Sequence, residues 1–435
     1  MRYLHCGSTD AAGRCRCGGT AMPVRKFAIH TLGTRGDVQP YIALALGILQ
    51  AGYWVSIAAP KQFEGLVRSY GIEFSPLPGE FLDLLNRPAG KAAVAGGSGF
   101  AAGLKLLKHI RPHLRNLFDV ELASARAVAP DVIIYHPKSL AAPHIAEYLK
   151  CPAILATPIP ISTPTSDFAS PIFPFGSMGP LNKVSHHLAM RIPTLLFGKE
   201  LREWRVSSLK LDDRATPRYS PKGTLCAFST EVIPKPVDWG EDVCISGFWF
   251  VNDRSWSPSG SLQEFLSNGP RPIYFGFGSM PGIDPLHLTR VILTALERTG
   301  NRGLLAIGGG ALTITDRVPH VHFIDTAPHD QLFPHIQATV HHGGVGTVAA
   351  SLRAGKPMAI CPFLGDQPFW GRRIAEIKCG PKPLDRRRLT VETLTDAISA
   401  ITSDSMKHHT STVGERIRNE RGVSEAVKFI ERLIG

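Results

Sequence analysis

His341–Pro357 reads HHGGVGTVAASLRAGKP. The residues before it, Ala338–His341, have the apolar, β-branched character of a short strand, and Gly346–Arg353 carries apolar residues at helical spacing. Between them Gly343, Gly344 and Gly346 leave the backbone bare, so a ligand can approach main-chain amides closely. The first amides of a helix have no internal partner and carry partial positive charge, which suits phosphate. Thr347 adds a hydroxyl at the same place. Gly355 and Pro357 then stop the helix, and PMAICP resumes a strand. Strand, glycine turn, helix and strand in succession point to a parallel α/β sheet. A purely structural turn would use the same glycines, so both readings stand at this point. Neighbouring residues of a strand point to opposite faces. His341 is therefore read as packed or hydrogen-bonded, and His342 as the ligand-facing residue; a zinc site fits poorly.

The same rhythm extends in both directions. RPIYFGFGS from Arg271, GLLAIG, VHFID, ATVHH and PMAICP are five strand segments separated by helical ones. In the first half, Lys26–Thr31, Tyr53–Ala58, IEFSPL from Ile72, Asp131–Tyr135 and Ala153–Ala156 read as strands. YIALALGILQAG reads as a helix with Pro40 in its first turn, where a missing N–H costs little. Leu104, Leu107, Ile110, Leu114 and Leu117 form one apolar helical stripe. Residues 158–215 are less regular and read either as a lid or as helices covering the first core. Val423, Ala426, Phe429, Ile430 and Leu433 share a face of a closing helix. The expected division is a disordered tail or early start at 1–21, a first domain over 22–235, a connection over 236–261, a second domain over 262–415 and a last helix over 416–435.

Composition limits the functional classes. A chain of 435 residues with 43% hydrophobic residues is too long for one ordinary core and too apolar for general disorder. The formal net charge is +12, which fits a plain soluble basic protein as well as one that meets a membrane surface or an anionic substrate. Neither a dense Lys/Arg run nor an aromatic repeat points to nucleic acid. Eight cysteines in this length do not make a disulfide scaffold.

Further site candidates sit at other strand exits. Asp366 and Gln367 in PFLGDQPFW can make directional bonds to sugar hydroxyls; an ordinary helix cap by Asp366 is the alternative. Gly278 and Ser279 in FGFGSM can close on a phosphate from the opposite side, or merely shape a tight turn. Ala327, Pro328 and His329 can approach a base. In the first half, GTRGD lacks the Lys-Ser/Thr ending of a P-loop. Asp37 there can cap a helix or take a proton, and Arg35 can bind an anion or brace the loop. No carboxylate cluster suggests a metal.

Together these segments resemble glycosyltransferase family 1, in particular its UDP-glucose:sterol glucosyltransferase-like branch. GTRGDVQPYIALA resembles that branch's N-terminal signature. APHDQLFP, HHGGVGTVAASLRAGKP and PFLGDQPFWGRRI resemble its donor-binding region. The resemblance spans nearly the whole chain from residue 24. It implies a GT-B fold, two facing Rossmann-like α/β/α domains with a cleft and a C-terminal crossover helix. It implies an inverting hexosyltransferase that takes a UDP-sugar as co-substrate, requires no cofactor, and glycosylates a lipophilic hydroxyl such as a sterol, carotenoid, polyketide or phenol.

By the same resemblance Asp37 is the acceptor-activating base. His342, Gly344, Gly346 and Thr347 match the diphosphate region, faced by Ser279, while Asp366 and Gln367 match the sugar-contacting pair. Plant members commonly carry a histidine base in the first signature and a tryptophan before the Ala-Pro pair; this chain has Asp37 and Thr326. The expected setting is the cytoplasm, with transient contact to a membrane surface; the sequence says nothing of oligomeric state. A GT-B nucleotide-sugar epimerase and a noncatalytic nucleotide-sugar-binding protein are the competing readings.

Overall fold

A computed structural model describes residues 24–79, 99–252, 256–278, 280, 284–315 and 318–435, with side chains from residue 111 onward in the segment that starts at 99. Ser279 lies outside the described residues, as do Cys6, Cys15 and Cys17 of the glycine-containing opening, whose sequence offers a metal no obvious fourth ligand, and the side chains of Leu104, Leu107 and Ile110.

Two parallel sheets organise the chain. The first contains β1 (Lys26–His30), β2 (Trp54–Pro60), β3 (Glu73–Leu77), β4 (Val132–Tyr135), β5 (Ala153–Thr157), β6 (Thr224–Cys226) and β7 (Val243–Ile245), in the order β3-β2-β1-β4-β5-β6-β7. The second contains β8 (Ile273–Gly276), β9 (Gly303–Ala306), β10 (Val321–Ile324), β11 (Ala338–His341) and β12 (Met358–Ile360), in the order β10-β9-β8-β11-β12. Helices cover both faces of such sheets, so their central strands are apolar throughout: β4 is VIIY and all four residues are buried.

The order in which strands are added reverses once in each sheet, between β1 and β4 and between β8 and β11. His30 lies opposite Tyr135 in the first pair, and Gly276 opposite His341 in the second. The loops leaving these strands therefore emerge side by side. Ligands of open parallel sheets bind at such switch points, beyond the carboxyl ends of the strands.

Six helices frame the cleft: α1 (Arg35–Gln50), α2 (Gly99–Val128), α3 (Asn182–Trp204), α4 (Val345–Arg353), α5 (Gln367–Glu376) and α6 (Gly422–Ile434). α6 returns to the first domain. Its Ala426, Val427, Phe429 and Ile430 join the core formed by Phe27, Ile29 and Ile42. Burying Phe429 and Ile430 contributes about 1.5–3 kcal/mol each relative to exposure, enough to hold the helix across the cleft. Arg372 of α5 donates to the carbonyls of Pro174 and Phe175 at 2.9 Å each, a second tie between the halves.

Three expectations change. α1 begins at Arg35, not at Tyr41, with Thr34 as its N-cap. Pro40 is thus its sixth residue and deletes the N–H that would reach the Gly36 carbonyl. The first sheet has two further strands, and β7 lies inside the segment expected to connect the domains. α4 starts one residue early, at Val345. Of the two readings of residues 158–215, the structure favours the covering helix: Leu201 and Trp204 of α3 pack with Phe118 and Leu122 of α2.

Candidate active site

The loop after β1 and the loop after β4 meet at Asp37. The residue stands in the first turn of α1, where its carboxylate reaches back to the N-cap. Oδ2 accepts the Thr34 N–H at 2.8 Å and the Thr34 hydroxyl at 3.2 Å. Gly33 makes room for this: its φ is +129°, and a Cβ there would lie 2.2 Å from Oδ2. The other oxygen, Oδ1, accepts the Lys138 ammonium at 2.7 Å. His136 Nε2 is 3.4 Å from the same oxygen. His136 Nδ1 accepts the Lys138 N–H at 3.0 Å, which leaves the ring proton on Nε2, facing Asp37.

The electrostatics follow from this cage. Burial works to raise the Asp37 pKa, but the Lys138 charge and the nearby His136 ring, with the Lys138 and Thr34 hydrogen bonds, outweigh it and the net shift is downward. Burial pushes His136 down to about 3 against the pull of Asp37, so the imidazole is neutral at pH 7. Asp37 is thus both a cap and a buried anion whose Oδ1 is held by Lys138. Of the two roles weighed in the sequence, the capping one is present in this geometry.

Beside it is a cavity of about 840 Å³. Gly33 and Lys138 line its end near Asp37, and Leu155, Met190 and Phe197 are among the apolar side chains of its wall. α3 supplies one side. The volume is within the usual range for small-molecule pockets.

The second switch point holds the glycine turn. His341 is fully buried and its Nδ1 accepts the Gly343 N–H at 3.0 Å. Burial drives its pKa well below the ordinary value. It is therefore a neutral brace of the turn. Gly343 has φ +91°, and a Cβ on Gly344 would lie 2.6 Å from His342 Nε2. Gly346 has nothing within 4 Å of its would-be Cβ, so the start of α4 opens onto free space, with Thr347 beside it. Gly278, after β8, faces His342 Cε1 at 3.9 Å from its own would-be Cβ.

Around this turn stand the remaining candidates. His329 follows Ala327 and Pro328, stacks on Phe333 and lies 3.3 Å from the Tyr274 hydroxyl. Burial, His342 and the Arg35 charge from the first domain push its pKa down to about 4. Arg35 itself bonds Gln39 at 3.1 Å. Asp366 occupies the N-cap position of α5 but its side chain makes no cap bond; Oδ2 instead accepts the Trp370 indole N–H at 2.6 Å. Burial raises its pKa, and the charges of Lys138 and Asp37 reach it across the cleft. Gln367 uses its oxygen for the Phe363 and Leu364 N–H groups, at 2.7 and 3.1 Å. Its amide nitrogen approaches Met280 Sδ at 3.5 Å, so this side chain fastens its own loop. Among the described residues no group of three His, Cys, Asp or Glu is placed to hold a metal.

The erythromycin biosynthesis protein CIII-like C-terminal domain matches residues 292–427, and the glycosyltransferase family 28 N-terminal domain matches residues 27–164. Two sterol 3-beta-glucosyltransferases of Arabidopsis thaliana are 33% and 34% identical over 94% and 95% of this chain, which spans 65% and 68% of their length. The chain belongs to the sterol 3-beta-glucosyltransferase family. It spans 29% of a family member from Aspergillus fumigatus, at 34% identity. Calicheamicin glycosyltransferase superposes with a TM-score of 0.71 at 17% identity, over 95% of this chain and 99% of that one. A spinosyn rhamnosyltransferase complexed with thymidine diphosphate gives 0.64 at 16%, over 94% and 100%. The fold is GT-B, with the crossover helix α6.

Seen within this family, the sequence reading missed two parts of the site. Lys138 and His136 carry no local motif and follow a plain apolar strand; only the β1–β4 adjacency brings them to Asp37. The Gly308–Gly310 turn was also passed over. A Cβ on Gly309 would lie 2.1 Å from the Gly278 carbonyl, so it backs the loop after β8. A run of three glycines after a strand was the available signal.

Proposed function

We propose that the protein is an inverting UDP-dependent glycosyltransferase of family 1, sterol glucosyltransferase-like branch, moving glucose from UDP-glucose to a hydroxyl of a lipophilic acceptor. One observation carries this reading: the carboxylate at one switch point is in contact with Gly33 and Lys138, which line an apolar cavity, and an open glycine turn lies at the other switch point. The acceptor occupies the cavity and the nucleotide sugar lies along the turn, its diphosphate at Gly344–Thr347 with His342, and its sugar toward Asp366. Ala327–His329 borders the nucleotide base.

The displacement is direct. The acceptor oxygen forms a bond to the anomeric carbon as the bond from that carbon to the diphosphate oxygen breaks. The hydroxyl proton passes to Asp37 Oδ1 and the electron pair leaves with UDP. A free aspartate, of pKa about 4, is a weak base toward a resting alcohol, but it serves as the alcohol acidifies in the transition state. Lys138 occupies Oδ1, so its ammonium yields that oxygen to the acceptor hydroxyl, and its withdrawal makes Asp37 more basic. The amides at the start of α4 meet charge developing on the leaving diphosphate, so the scheme calls for no cofactor beyond the UDP-sugar.

Incubation with a panel of UDP-sugars and mixed lipophilic alcohols tests the reading. A glycoside and stoichiometric UDP are expected. An isomerised sugar nucleotide would establish the epimerase instead, and binding without turnover a noncatalytic role.

A further inference from the structure

Among the described residues the outer face of α3 carries a row of exposed apolar side chains. Val184, Leu188 and Leu195 are 57%, 52% and 75% exposed, and Leu181, just before the helix, is 54% exposed. Their spacing of three, four and seven puts them on one stripe of an α-helix. Arg191 and Lys199 fall within or beside that stripe, and His187 lies next to it. No acidic residue occurs between Asn182 and Lys199. The acids paired at this helix lie toward its ends: Asp238 is 3.5 Å from Lys183, Glu203 is 3.8 Å from Lys199, Asp213 is 3.8 Å from Arg202, and Glu200 pairs with Arg111, pairs of little strength where they are exposed. The opposite side of the same helix, at Ala189, Met190, Pro193, Thr194 and Phe197, walls the apolar cavity.

An exposed apolar stripe edged with cations is the pattern of a helix lying in a bilayer interface, with aliphatic side chains among the acyl chains and cations at anionic headgroups. We infer that the outer face of α3 docks the protein on an anionic lipid surface and holds the cavity wall against the membrane from which a lipophilic acceptor enters. A second copy of the chain fits less well, because two-fold pairing of this face sets Arg191 and Lys199 against like charges. No helix among the described residues is long and apolar enough to cross a membrane, and the docking described is peripheral. The inference rests on the acceptor reading above only for its purpose; binding itself requires no chemistry.

Vesicle flotation tests it, with phosphatidylcholine alone and with about one third phosphatidylglycerol added. The full chain is expected to float with the mixed vesicles, to stay behind with neutral ones and to release as salt screens the surface. Each cation near such a surface is worth about fivefold in binding, so R191A/K199A lowers affinity about 25-fold. L188S/L195S abolishes flotation while leaving thermal unfolding and turnover of a water-soluble acceptor unchanged. Absence of wild-type flotation overturns the inference, as does equal flotation of both variants. So does a wild-type dimer in sedimentation that L188S/L195S dissociates without any vesicle binding. Flotation intact without sugar transfer would overturn the proposed reaction alone, and transfer intact without flotation the docking alone.

Discussion

Lys138 holds its ammonium nitrogen 2.7 Å from Asp37 Oδ1 although 101 positions separate them. The half-exposed lysine side chain also lines the apolar cavity. The same ion pair keeps the carboxylate charged and blocks one of its oxygens, so its removal has two opposite effects.

Lys138→Met separates them. Without the ammonium, burial faces less opposition and the Asp37 pKa rises. The acid limb of the pH profile of kcat/KM should therefore move to higher pH. The stability sign is consistent. A carboxylate with a depressed folded pKa stabilises above its unfolded value, and that contribution is lost as pH falls through the folded value. The variant should accordingly lose less stability on acidification than the wild type. Coincident acid limbs in wild type and K138M would show that the pair does not govern the base.

The glycine turn gives a test of donor placement. Gly346 faces open space, so a bulky side chain there fits the fold and fills the space assigned to the diphosphate. Gly346→Trp should weaken UDP binding by at least about tenfold, or about 1.4 kcal/mol, with near-native thermal unfolding. Titration calorimetry reads this, and unchanged affinity would move the diphosphate elsewhere.

Acceptor placement is tested from α3. Thr194 is partly buried and lines the cavity. Thr194→Trp should raise KM for polycyclic alcohols by about tenfold or more while sparing small phenols and UDP binding, since only the long acceptors need the filled volume. A uniform loss across acceptors of every size would place the pocket elsewhere.

The strands β8 and β11 and the glycine loops after them were legible because apolar runs ended in glycine, and a bare turn before a helix has a physical reading. Pro40 misled the start of α1: it was read as a first-turn residue, whereas Thr34 and Asp37 nucleate the helix earlier. β6 and β7 have three residues each, too few to show a period. Lys138 was illegible for a different reason. Its meaning depends on which strand lies beside β1, a long-range property of the sheet. The stripe on α3 was readable only as apolar composition until burial divided it into a cavity wall and an outer face.

Asp37→Asn tests the central claim most directly. The asparagine oxygen can still accept the Thr34 N–H, so the cap survives, and losing an ion pair whose lysine is half-exposed costs little stability. Only the anionic proton acceptor is gone. The decisive measurement is steady-state sugar transfer by D37N, beside thermal unfolding and UDP binding. The account requires transfer to fall by about 10²–10⁴-fold with folding and UDP affinity near wild type. Near-normal turnover would contradict it.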